Sequence, residues 1–164
     1  MDTEQRIAAL EARLRNAEDH LEILNLINTY GPLVDSGASE AAAALWIAGG
    51  GYNYSGGNSN GTRLEAPAGL VEIYEGAGHQ GLFRGGSAHL MATPRITVDG
   101  DRARAIGYSF VVKHEGEGWH VFRAAVNDFE LVRTDAGWRI AERLNRTLTG
   151  SEDSFKVMRG VLTQ

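Results

Sequence analysis

The chain has 164 residues, 43% hydrophobic and 23% charged, with a formal net charge of -5 and no cysteine. That length and balance fit one globular domain able to hold a core without cross-links. The charge argues against a general nucleic-acid or membrane-surface role, and the lack of cysteine excludes disulfides, thiolate nucleophiles and thiolate metal sites.

There is no apolar leader segment and no apolar run of bilayer length, so a cytoplasmic protein with no membrane partner is expected. Residues 3–30 read as one helix. Ile7, Leu10, Leu14, Ala17, Leu21 and Leu24 recur in steps of three and four, an a/d seam over about three heptads. Such a helix either lies on its own domain or packs its first half on another subunit, and the pattern favours neither. From Ile23 to Tyr30 the apolar density rises, which points this half into the core. Gly31-Pro32 then predicts an end or a kink, because proline lacks a backbone donor and clashes with the preceding turn. In an unbroken helix five residues turn through about 140°, so Tyr30 and Asp35 do not share a narrow face unless the helix kinks.

Ser39 is the expected N-cap of a second helix over 40–48, anchored by Trp46 and stopped by Gly49. Residues 51–55 suit a short strand with Tyr52 and Tyr54 on one face, and 55–62 a polar turn. Ala66-Pro67 opens a third helix, running to residue 74 or 75. Glycines crowd between Gly49 and Gly86, so 76–86 reads as a flexible loop and a candidate lid. Residues 88–98 are strand-like, with Pro94 marking an edge or bulge, and Asp99-Gly100 is a hairpin turn. Strands over 102–113, 120–133 and 138–148 follow. Helices first and an antiparallel meander afterwards define an α+β fold, a curved antiparallel sheet wrapped around N-terminal helices. The expected division is a domain over 1–150 and a C-terminal tail over 151–164.

Two residues carry candidate chemistry. Asp35 sits in apolar surroundings where a carboxylate needs a partner, although a helix-terminal cap explains it equally well. His89 opens a strand beside Leu90 and Met91, and histidine is the commonest general base. A carboxylate on one ring nitrogen would fix its tautomer, as in a catalytic triad without the nucleophile. A structural, hydrogen-bonded histidine is the competing explanation. Tyr30, Tyr52 and Tyr54 suit hydrogen bonding to a substrate oxygen or core packing, and Asn127 and Arg143 are polar positions on otherwise apolar strands. His20, His79, His114 and His120 form no metal-ligand spacing, although His79 lies within reach of a pocket. The glycines match no phosphate-binding loop, and no serine sits in a nucleophile elbow. Hydride and phosphoryl transfer are therefore poor expectations, and no metal is expected.

Four ordered segments together resemble a SnoaL-like member of the nuclear transport factor 2 superfamily. They are Ile23-Leu-Asn-Leu-Ile-Asn-Thr-Tyr30 with Val34-Asp35; residues 41–46 with Gly51-Tyr52; His89-Leu-Met-Ala-Thr-Pro-Arg-Ile96 running into Val98-Asp-Gly-Asp101; and Asp135-Ala-Gly-Trp138-Arg-Ile140 with Arg143. Gly31-Pro32 departs from the family pattern. The resemblance implies a cone-shaped fold with a deep apolar pocket, and it is nearest to the scytalone dehydratase, bile-acid dehydratase and dehydrochlorinase branch. In that branch Asp35 and His89 would form the catalytic dyad. Tyr30 and Arg143 would match pocket residues, Tyr54 and Asn127 more approximately, with Trp46 as a further substrate-binding side chain. The implied function is a cofactor-independent lyase acting on a small, mostly apolar molecule, aromatic or polycyclic, in a homo-oligomeric dimer or trimer. The alternatives are a polyketide cyclase or isomerase using Asp35 as acid/base, a non-catalytic ligand binder, and an assembly protein working through the N-terminal seam.

Overall fold

A computed structural model describes residues 2–55 and 61–163. The polar turn expected over 55–62 falls largely outside them. The first helix, α1 (Thr3–Asp35), starts in a capping box: Asp2 accepts from the Gln5 backbone N–H while the Gln5 side chain accepts from that of Asp2. It does not end at Gly31-Pro32, one of the two outcomes expected there, but runs through both residues. Pro32 is exposed on the helix surface, and the helix stops at Ser36-Gly37 instead. Gly37 adopts φ 75°, and the Ala38 N–H returns to the Leu33 carbonyl, closing the last turn.

The second helix is also shorter than expected. α2 (Ser39–Ala43) has Ala38 rather than Ser39 at its N-cap, and Trp46 begins a strand, β1 (Trp46–Tyr54). The reason is a waiting partner: the final strand, β7 (Gly137–Thr147), pairs in parallel with β1, and the Ile140 N–H donates to the Leu45 carbonyl. β2 (Thr62–Glu65) and α3 (Ala68–Glu75) follow. The expected 76–86 loop is a helix, α4 (Ala77–Gly85), in which the His79 and Phe83 rings, four residues apart, meet at a tilt and Phe83 packs over Gly37.

β3 (Ser87–Met91) and β4 (Arg95–Asp99) both pair with β5 (Arg102–Glu115), whose hairpin partner is β6 (Gly118–Thr134). Pro94 lies between them, where its Cα would stand 2.9 Å from a Cβ on Gly107. The seven-stranded sheet runs β2-β1-β7-β6-β5-β3, with β4 also on β5; every pairing is antiparallel except β1 with β7. It is curved and does not close, since its two edges stay unpaired with each other.

The core lies between the concave face and α1, α2 and α3, centred on Ile23, Ile27, Leu70, Leu131, Trp138 and Ile140. α1 is pinned to the sheet by polar contacts: Asp19 accepts from the Trp138 indole and from Arg133, and Glu22 accepts from the Trp138 backbone N–H. A last helix, α5 (Glu152–Arg159), covers the other face through Val157 on Ile106 and Val126. Among the described residues no helix is long and apolar enough to cross a membrane.

Candidate active site

The last turn of α1 carries Asp35, and the middle of β3 carries His89. Gly31 brings the two elements together: a Cβ there would stand 2.1 Å from the His89 carbonyl oxygen, so only glycine permits the contact. Asp35 then accepts three hydrogen bonds, Oδ1 from His89 Nδ1 at 2.7 Å and Ser87 Oγ at 2.9 Å, and Oδ2 from the His89 backbone N–H at 2.6 Å. An ionised carboxylate can only accept, so Nδ1 of His89 carries the proton and Nε2 is the free ring nitrogen. Burial pushes the Asp35 carboxyl up, but the His89 and Ser87 hydrogen bonds outweigh it and hold the group below its ordinary value.

Around His89 the aromatic side chains form one contiguous cluster. The Tyr30 ring meets the His89 ring edge-on at 6.1 Å, and His79 lies 5.6 Å away. Tyr30 also packs against Trp46 and Tyr74, and Trp46 against Tyr52. Burial pushes the Tyr30 and Tyr74 hydroxyls up, so both keep their protons at neutral pH and remain donors. Arg143, on β7, closes the far side. It is buried, and its guanidinium carbon stands 4.5 Å from the Tyr30 ring centre and 4.7 Å from that of Tyr52. Its Nε and Nη2 donate to Asn127 Oδ1 at 3.0 and 2.9 Å. A buried cation normally sits beside a carboxylate; here cation–π contacts and one neutral amide take that place.

Three buried polar atoms of this cluster lack a hydrogen-bond partner: Tyr74 Oη, His79 Nε2 and Arg143 Nη1. Tyr30 interacts electrostatically with Tyr74 and Arg143, yet the Tyr74 hydroxyl reaches no acceptor in bonding geometry. His79 Nδ1 faces the Tyr74 carbonyl at 3.1 Å, which fixes its proton on Nδ1 and leaves Nε2 as a lone pair. Burial, then the neighbouring His89, lowers the His79 pKa and keeps it neutral.

Of the residues singled out in the sequence, Asp35, His89, Tyr30, Trp46 and Arg143 come together. Tyr54 is half-buried and contacts Tyr52 rather than the dyad. Asn127 supports Arg143 from beneath: Oδ1 accepts from Arg143 and Asn145, and Nδ2 donates to Ser109, leaving the amide fully engaged. Tyr74 and Ser87 were not foreseen. Ser87 was findable, since residues two apart on a strand face the same side as each other. His79, expected within reach of a pocket, does lie beside His89; Tyr74 had no signal in the sequence, because it reaches the cluster through the packing of α3.

The SnoaL-like domain profile matches residues 15–144. A nuclear transport factor 2-like protein with a cystatin-like fold from Novosphingobium aromaticivorans is 36% identical, with a TM-score of 0.85 over 91% of this chain and 94% of that one. The chain belongs to the SnoaL-like family. It is also similar in fold to a candidate aromatic ring hydroxylase from the same organism (24% identity, TM-score 0.62, covering 81% and 91% of the two chains). A Catenulispora acidiphila protein solved in complex with S-DNPA is 17% identical, with a TM-score of 0.68 over 80% of this chain and 94% of that one. No curated protein sequence matches the chain.

Proposed function

We propose that the chain is a cofactor-independent lyase of the dehydratase or dehydrohalogenase kind, with His89 as base and Asp35 as its orienting carboxylate. The observation that carries this reading is the 2.7 Å contact between Asp35 and His89 Nδ1, which leaves Nε2 free to accept a proton. Nε2 takes a proton from the substrate carbon next to the one bearing the leaving group. The C–H electron pair becomes the new double bond, and the leaving group departs with its own pair. A halide leaves as the anion; a hydroxyl leaves as water, taking the proton back from the His89 imidazolium. Asp35 stabilises that imidazolium meanwhile.

The surrounding side chains fit such a substrate. Tyr30, Trp46, Tyr52 and Tyr74 suit an apolar body, aromatic or polycyclic, and the unpartnered Arg143 Nη1 suits an oxygen or halide at its far end. A bound small molecule in a protein of the same fold agrees with a small-ligand site. The cyclase or isomerase alternative needs Asp35 to exchange protons, yet both its oxygens are engaged and its pKa is lowered.

The test is a panel of β-hydroxy carbonyl compounds and halogenated alicyclic compounds, followed for release of water or halide. His89→Ala should lower turnover by about a hundred- to ten-thousand-fold with near-UV circular dichroism unchanged. Normal turnover by that variant would refute the mechanism. A greater loss in Asp35→Asn than in His89→Gln would favour the isomerase. Tight binding without conversion, indifferent to His89→Ala, would make the protein a binder.

A further inference from the structure

Residues 2–18 are all exposed: α1 makes its first hydrogen bonds to β6 and β7 at Asp19, and before that only its inner side, at Ala12, Arg15 and Asn16, borders the β4–β5 turn. The seam along this stretch and just beyond it is unpartnered: Ile7, Leu10, Leu14 and, past Asp19, Leu21 are each at least 50% exposed. Helical geometry places it opposite the face that α1 buries. Ile23, Leu26, Ile27 and Tyr30 point into the domain, and the seam is turned from them by roughly 170°. The helix cannot cover its own seam, which removes one of the two readings the sequence left open. A contiguous apolar stripe of this kind marks an association surface.

The flanking charges identify the occupant. With Ile7, Leu14 and Leu21 at heptad position a, and Leu10, Ala17 and Leu24 at d, every e position over residues 2–18 is acidic (Glu4, Glu11, Glu18). Both g positions there are basic (Arg6, Arg13). Among the described residues none of these charges forms an ion pair within its own chain. In a parallel helix pair each g position faces the next e position of the other helix. Arg6 then meets the partner subunit's Glu11, and Arg13 meets the partner subunit's Glu18. An antiparallel pair would set Arg against Arg and Glu against Glu.

We infer that two copies of this chain associate in parallel through residues 3–24, as a two-stranded coiled coil with the folded domains on its outer sides. The inference does not depend on the lyase reading. In light scattering at micromolar concentration the full chain should have twice its 17.7 kDa mass. Leu10→Glu combined with Leu14→Glu should return it to one chain mass with an unchanged near-UV spectrum, since both side chains are exposed. Because the chain has no cysteine, Ile7→Cys gives a clean orientation probe. On oxidation a parallel pair links into a disulfide dimer, whereas an antiparallel pair holds the two substituted positions about 25 Å apart. Arg6→Glu with Arg13→Glu should weaken self-association roughly tenfold or more, and mixing with Glu11→Arg, Glu18→Arg chains should restore it. A monomeric wild type, a double glutamate variant of unchanged mass, or a dimer that Ile7→Cys fails to cross-link would overturn the proposal.

Discussion

Asp35 works as a fixed acceptor, and its stability effect has a definite sign. The hydrogen bonds from His89 and Ser87 overcome the opposing effect of burial and lower its folded pKa. A carboxyl lowered on folding adds stability above its unfolded pKa, and that part is lost as pH falls through the folded value. We therefore expect urea unfolding of the wild type to lose stability below about pH 4, and Asp35→Asn to flatten that decline. Equal slopes would assign the acid sensitivity elsewhere. Arg143 makes the opposite kind of contribution. Its charge is buried without a carboxylate, held by Asn127 and the faces of Tyr30, Tyr52 and Phe129. Replacing a poorly compensated buried ion with a hydrophobe of similar volume is often neutral or stabilising. Arg143→Met should keep or raise the melting temperature while weakening ligands that carry an oxygen at that end. One charge-assisted hydrogen bond is worth about 1.5–3 kcal/mol, so the loss in Kd is roughly tenfold or more. A sharp fall in melting temperature would mean that the aromatic faces fully repay the burial.

At the scale of elements, legibility followed how local the causes were. The α+β order, the Asp99-Gly100 turn and the pairing of Asp35 with His89 could be read because each rests on a periodic pattern, a turn dipeptide or a family motif. Gly31-Pro32 suggests a helix end because both residues are helix breakers in isolation, yet the helix continues. What decides is a contact far along the chain: position 31 must be glycine to admit the His89 carbonyl, and the ring of Pro32 lies outside at the surface. Trp46 was placed on a helix because nothing local announces that β7 will offer it a parallel partner. In α4 the glycines read as loop, yet a Cβ on Gly78, Gly81 or Gly85 would meet nothing within 4 Å. Those glycines are a cost to the helix rather than a requirement of its packing. Gly81→Ala should stabilise the protein by about 0.5–1 kcal/mol, seen as a rise in melting temperature and slower amide exchange across α4. A loss of stability would show that the segment needs glycine freedom, as a lid would.

At the scale of the whole molecule, the sheet separates two unequal cores. The side covered by α1 holds the Asp35–His89 pair, the aromatic cluster and Arg143; among the described residues the smaller core on the other face is formed by Ile106, Val126 and Leu144 beneath Val157, Met158 and Val161. Alternation along β5 keeps them apart, with Ala103 and Ala105 facing the main core and Arg104 and Ile106 facing α5. We propose on this basis that residues 1–150 form the unit that carries the site, with 151–164 a cover for the outer face. A chain ending at Gly150 would return Ile106 and Val126 to water. At about 1.5–3 kcal/mol for each fully buried apolar side chain, and less for partly buried ones, the loss should be about 2–5 kcal/mol. Urea unfolding would read it as a lower midpoint. The aromatic near-UV signal should survive, because Tyr30, Trp46, Tyr52 and Trp138 lie in the other core. Simultaneous loss of that signal would mean that α5 and the main core fold as one cooperative unit, and that the tail is as much part of the domain as α1.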